Sequence, residues 1–112
     1  VGVKTTVRQA LLKITASRAG SCTIVDARGK LVGVFTDGDL RRHLKSQGEL
    51  ILNRPVVQVA TLKPCYIEKG KMAEEAFHIM ESLRIDELPV VDHAKRVVGL
   101  VDVQDLMRAG RV

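Results

Sequence analysis

The residues of this 112-residue chain best suited to chemistry are Gly33, Thr36, Asp37 and Asp39, within Gly33-Val34-Phe35-Thr36-Asp37-Gly38-Asp39-Leu40. They hold no nucleophile–base pair, so the chemistry they suit is binding. Thr36 is a good N-cap for a helix, and Asp39 three residues later can bond back to the cap, an acidic form of the capping box. A helix opening this way presents unpaired N–H groups and a partial positive charge, which suits a phosphate. Gly33 leaves room for a ligand beside the preceding strand, Leu31 to Phe35. Asp39 can accept from two sugar hydroxyls, and Asp37 favours the helix start through the dipole. Capping alone would explain the same residues.

The stretch recurs. A shift of 66 positions lays Gly99-Leu100-Val101-Asp102-Val103-Gln104-Asp105-Leu106 over it without a gap, and Ala10, Arg18, Val25-Asp26, Val32 and Arg42 also meet identical residues. The chain is an internal duplication. In the second copy Asp102 stands where Thr36 stands in the first. Two unit charges about 4 Å apart at an effective dielectric near 20 interact by roughly 4 kcal/mol, here repulsive towards a phosphate. The first copy is therefore the expected site, and the second, with Asp105, the weaker one.

These motifs need elements to hold them, and the pattern supplies strand, helix, strand, strand, helix twice. Thr6-Val7-Arg8-Gln9 opens a helix with apolar Val7, Ala10, Leu11 and Ile14 on one face. Cys22 to Val25 and Leu31 to Phe35 form a hairpin across Asp26-Ala27-Arg28-Gly29, and a helix follows from Thr36 to about Lys45. Val1 to Thr5 reads as the tail of a strand whose counterpart is Cys65-Tyr66-Ile67. In the second copy Ala73, Ala76, Phe77 and Met80 make the helix face, Leu88 to Val91 and Val97 to Val101 the hairpin, and Val103 to Ala109 the last helix. The divisions expected are 1–45 for the first repeat, with its first strand truncated, 46–62 for a connector, and 63–112 for the second. The connector carries Leu50, Ile51, Leu52, Val56, Val57 and Val59, so it should lie packed with a short helical turn. The fold class is α/β (α+β), with the two halves packed together.

Composition bounds the function. Lysine and arginine number 18 against 13 acidic residues, a net charge of +5. The basic residues are scattered and aromatics are nearly absent, which argues against nucleic acid and for steering a small anion. No apolar run approaches the roughly 20 residues of a membrane span. No signal peptide opens the chain, so a cytoplasmic setting is expected. A start at Val1 points to a piece of a longer protein. Cys22 and Cys65 lie in apolar contexts and read as buried thiols; the histidines have no metal-ligand spacing, and no metal is expected. Met72, Met80 and Met107 read as core or interface filling.

The repeat, the Val-Val-Asp…Val-Gly strand pairs and the Gly-x-x-Thr-x-x-Asp ending resemble a tandem of CBS domains, a pseudo-two-fold Bateman module. Phe35 to Arg42 and Asp105 to Val112 resemble more closely the C-terminal region of the arabinose-5-phosphate isomerase family. That resemblance implies a non-catalytic, regulatory part of an enzyme whose upstream sugar-isomerase domain interconverts ribulose 5-phosphate and arabinose 5-phosphate for Kdo and lipopolysaccharide synthesis. It implies no required cofactor, an adenine nucleotide or nucleotide-sugar effector held between the repeats, and a homodimer. Thr36 would hold phosphate, Asp39 the ribose, and main chain around Ser21, Cys22 and Thr23 the base. The weaker second site would use Cys65, Tyr66, Leu88, Pro89 and Asp105. Against this ligand-sensing reading stands a second one, an oligomerisation scaffold that binds nothing specific.

Overall fold

The structure, a computed structural model, describes residues 1–17 and 20–108. They fall into two units, Val1–Pro64 and Cys65–Val112. The first contains α1 (Val7–Ser17), β1 (Ser21–Val25), β2 (Leu31–Thr36), α2 (Asp37–Gln47), two 3-10 turns (Gly48–Asn53 and Val56–Gln58) and β3 (Thr61–Leu62). The second contains β4 (Ile67–Glu68), α3 (Ala73–Leu83), β5 (Glu87–Val91), β6 (Val97–Asp102) and α4 (Val103–Arg108). No described helix is long and apolar enough to cross a membrane.

The duplication is visible atom by atom. β1 and β2 are antiparallel, with Ser21 opposite Thr36 and Ile24 opposite Gly33; β5 and β6 repeat this with Glu87 opposite Asp102 and Val90 opposite Gly99. Both ladders slip at the same place, between Ile24 and Val25 and between Val90 and Val91. Each hairpin is closed by an aspartate. Asp26 Oδ1 accepts the Arg28 and Lys30 N–H groups at 2.8 and 3.0 Å, and Asp92 Oδ1 accepts those of Ala94 and Arg96, both at 2.9 Å. The left-handed residue of the turn is Gly29 (φ 80°) in the first copy and Lys95 (φ 65°) in the second.

Helix ends follow the sequence signals. Thr6 and Gln9 form the expected capping box, Gln9 N–H to Thr6 Oγ1 at 3.2 Å and Thr6 N–H to Gln9 Oε1 at 3.0 Å. In each unit the apolar helix face meets one face of the sheet. Val7, Ala10 and Ile14 pack with Cys22, Ile24 and Phe35, and Ala76 and Met80 pack with Ile67, Leu88 and Leu106. The connector joins the first core through Ile51, Val56 and Val59, with two 3-10 turns where the sequence suggests one, because Arg54-Pro55 breaks the helical run.

Three expectations change. The N-terminal strand is reduced to one parallel bridge, Gly2 with Val25, in the register of Glu68 with Val91 in the β4–β5 ladder. β4 starts at Ile67 rather than Cys65, because its ladder begins at the Ile67–Val90 pair. Cys65 and Tyr66 therefore lie before the strand and are exposed, and the thiol of Cys65 is not buried; the Lys95 ammonium sits 5.4 Å from the Tyr66 ring centre. Met80 fills the second core, whereas Met72 and Met107 are exposed. Ala109, expected to end the last helix, lies outside the described residues.

Gly33 sits in the middle strand, where a Cβ would come within 2.8 Å of the Thr61 carbonyl oxygen. Gly33→Ala should lower stability by about 1–3 kcal/mol, the range for overpacking, measured by urea unfolding. The two hairpin aspartates allow a pH test. Asp26 is held below the ordinary carboxyl value of 3.8 by the Lys30 and then the Arg28 N–H groups. Asp92 is held below it chiefly by the Arg96 N–H. A folded value below the unfolded one stabilises above pH 3.8 and loses that contribution as pH falls further. Carboxyl-carbon NMR should show both groups titrating below the ordinary carboxyl value of 3.8, and Asp26→Asn should flatten the acid limb of the stability curve.

Candidate functional site

Alternation along β1 and β2 sorts the candidate residues of the first copy. Cys22, Ile24 and Phe35 belong to the core, so Ser21, Thr23, Val34 and Thr36 lie on the opposite face of the ladder. Ser21 and Thr36 are direct cross-strand partners at the end where α2 begins. The Cys22 side chain is thereby excluded from that face, and only its main chain can contribute. Burial pushes its thiol above the ordinary value, so it stays protonated and unreactive at neutral pH.

Thr36 caps α2 in the expected manner: its Oγ1 accepts from the Asp39 N–H at 3.1 Å, and Asp39 Oδ2 accepts from the Thr36 N–H at 3.0 Å. Asp39 is only 2 % exposed. Its other oxygen, Oδ1, is paired with the Arg42 guanidinium and lies 3.5 Å from the Thr61 hydroxyl. A sugar hydroxyl reaching Oδ1 must share it with Arg42, whose side chain is exposed and able to move aside. Asp37 is exposed in the first turn of α2. Gly33 has a different role from the one expected. Its missing side chain admits the β3 backbone rather than a ligand, since Thr61 and Leu62 occupy that space.

One group at this end stands out energetically. The Ser21 hydroxyl is buried, with the residue 1 % exposed, and has no hydrogen-bond partner among the described residues. An unmet buried hydroxyl costs about 1–3 kcal/mol, so such a group is retained where something else satisfies it.

The second copy replaces the Ser21–Thr36 hydroxyl pair with two carboxylates, Glu87 opposite Asp102. Asp102 caps α4, accepting the Gln104 N–H at 2.7 Å. Two facing carboxylates repel an anion at the place where the first copy offers hydroxyl groups. Leu88 and Pro89 are fully buried, Leu88 in the core, while Cys65 and Tyr66 are exposed ahead of β4. Asp105 is exposed and lines a cavity of about 410 Å³ with Ile67, Ala73, Ala76, Val90 and Leu106 among its walls. Of the residues assigned to the weaker site, the cavity takes only Asp105.

Sequence reasoning missed Arg42 and Thr61 as partners of Asp39. The i, i+3 spacing signalled the first; Thr61, 22 positions away, gave no local signal. Among the described residues no cluster of His, Cys, Asp and Glu could hold a metal.

Removing the Ser21 hydroxyl should stabilise the unliganded chain. Ser21→Ala is expected to raise stability by about 1 kcal/mol, the lower end of the cost of an unmet buried group, and differential scanning calorimetry would register it.

The profile of the CBS domain family matches residues 1–46 and 51–111. Arabinose 5-phosphate isomerase KdsD of Pseudomonas aeruginosa is 40% identical over 106 residues, which are 95% of this chain and 32% of that protein. The chain thus spans about a third of the length of the curated relatives it matches. Among solved structures, the CBS domain protein PAE2072 of Pyrobaculum aerophilum, complexed with AMP, aligns with a TM-score of 0.86 at 19% identity, over 95% of this chain and 80% of that one. CBSX2 in complex with AMP aligns with a TM-score of 0.83 at 26% identity, over 98% of this chain and 84% of that one.

Proposed function

Because the chain belongs to the CBS domain family and matches its profile twice, we propose that it is a ligand-sensing regulatory module whose first unit takes an adenine-nucleotide-class anion. The observation that carries this reading is the buried, unpartnered Ser21 hydroxyl beside Thr36 at the start of α2. A ligand phosphate there accepts from Ser21, Thr36 and the Gly38 N–H, since the Asp37 and Asp39 N–H groups already bond the Gly20 carbonyl and Thr36 Oγ1, and the helix dipole favours its charge. Its ribose hydroxyls donate to Asp39 Oδ1 as Arg42 turns outward, and the main chain of Ser21 to Thr23 lines the base. The AMP complexes of two proteins with this fold support the ligand class. The facing Glu87 and Asp102 make the second copy a poorer place for the same anion.

The relatives named as arabinose 5-phosphate isomerases suggest the setting. In this reading the remainder of the longer protein performs the interconversion of ribulose 5-phosphate and arabinose 5-phosphate, and this chain adjusts it without catalysing anything. A scaffold role in a homodimer is the second reading, favoured by the exposed Leu12, Leu50, Val98 and Met107.

Calorimetric titration with AMP separates the two. Ser21→Ala and Asp39→Asn should each weaken binding by roughly tenfold to a hundredfold, the equivalent of a hydrogen bond to a charged group. Asp105→Asn should leave it unchanged. Weaker binding together with higher apo stability in Ser21→Ala is a pairing that general destabilisation cannot produce. No binding of AMP, ADP or a nucleotide sugar by the unmodified chain would favour the scaffold.

A further inference from the structure

Arg42 stands about one turn beyond Asp39 on α2, and its side chain reaches back towards the helix start. Its Nη2 donates to Asp39 Oδ1, the carboxylate oxygen that the Thr36 N–H does not use. Its Nη1 borders the open space beside Gly38. A Cβ on Gly38 would lie 3.5 Å from Thr36 Oγ1 and 3.6 Å from Arg42 Nη1. Thr36 Oγ1, Gly38 and Arg42 Nη1 therefore border one small volume, which the glycine keeps clear of side chain. Among the described residues Nη1 makes no hydrogen bond. The shift of 66 positions carries Gly38 onto Gln104, so the second copy has a side chain where the first has none.

A guanidinium in this place works against the helix. The N-terminal end of α2 carries partial positive charge, which disfavours a cation beside its first turn. Asp39 holds it there, since a buried carboxylate needs a charged or hydrogen-bonded partner. The Arg42 side chain is 68% exposed, so the pair has one fixed member and one able to turn. The guanidinium thus lies between a carboxylate already present and the helix start, where an anion is favoured.

Given a nucleotide at this site, the function proposed above and the one on which this rests, we propose that Arg42 selects a phosphorylated nucleoside over the bare nucleoside. In the free chain it neutralises Asp39. On binding, the guanidinium passes from Oδ1 to the ligand phosphate, and Oδ1 is left to the ribose hydroxyls. A nucleoside without phosphate reaches Oδ1 only by separating the ion pair, and it offers the guanidinium nothing in return. A phosphate monoester offers the planar guanidinium bidentate, charge-assisted hydrogen bonds, which offset the pair that is broken. Gly38 supplies the clearance in which the exchange takes place. Arg41 carries the same charge but stands two positions from Asp39, and residues so spaced do not face each other on a helix.

The test titrates the whole chain calorimetrically with AMP and with adenosine. Arg42→Gln should weaken AMP about tenfold and tighten adenosine about threefold, so that the preference for AMP falls roughly thirtyfold. Arg42→Lys, which keeps the charge without the planar fork, should retain part of that preference. Arg41→Ala removes an equal charge and should change the ratio of the two affinities less than about threefold. Opposite changes for the two ligands are a signature that general destabilisation cannot produce. Should Arg42→Gln fail to fold, arginine side-chain nitrogen NMR on the unmodified chain decides. The Arg42 signal should move towards that of free arginine with saturating adenosine and away from it with AMP. The proposal is overturned if Arg42→Gln weakens both ligands alike, if Arg41→Ala lowers the ratio as far, or if the Arg42 signal responds identically to both ligands. If AMP binds and Asp39→Asn weakens it while the ratio survives Arg42→Gln, the binding site stands and the role of Arg42 falls. If the unmodified chain binds neither ligand, both fall.

Discussion

Much of the first unit depends on one buried carboxylate. Asp39 accepts from the Thr36 N–H through one oxygen, while the other holds Arg42 and approaches the Thr61 hydroxyl. These contacts join the end of β2, the start of α2 and the beginning of β3. A buried charge is tolerated only with such partners, because an unpaired carboxylate would lose several kcal/mol of hydration. In the proposed complex the same group would accept a sugar hydroxyl, so structure and binding would compete for Oδ1, and Arg42, which is solvent-exposed, is the partner able to yield.

The two copies share a backbone plan and differ in chemistry at equivalent points. Ladder register, β-bulges and aspartate-closed hairpins are repeated closely, since these follow from backbone hydrogen bonding and turn geometry. The end where the second helix starts has diverged from a hydroxyl pair to a carboxylate pair. Such a change leaves the fold intact because Asp, like Thr, caps a helix, yet it reverses the electrostatic preference for an anion. The surroundings have diverged as well: the connector packs into the first core, and the second unit holds a cavity.

What the sequence by itself determined was local and periodic. The gapless repeat, both capping boxes, the apolar helix faces and the hairpin turns were legible because each depends on residues within a few positions of one another. The role of Thr36 as N-cap and its bond to Asp39 belong here too. Tertiary structure decided what depended on distant partners. Gly33 reads locally as clearance for a ligand and is instead filled by the Thr61 backbone. Cys65 and Tyr66 read as strand, but a two-residue ladder set by Val90 and Val91 leaves them outside it. The unmet Ser21 hydroxyl and the cavity beside Ala73 have no local signature at all, because among the described residues each is defined by segments distant in sequence. A sequence records which groups a chain carries, whereas a missing partner exists only once the chain has closed around it.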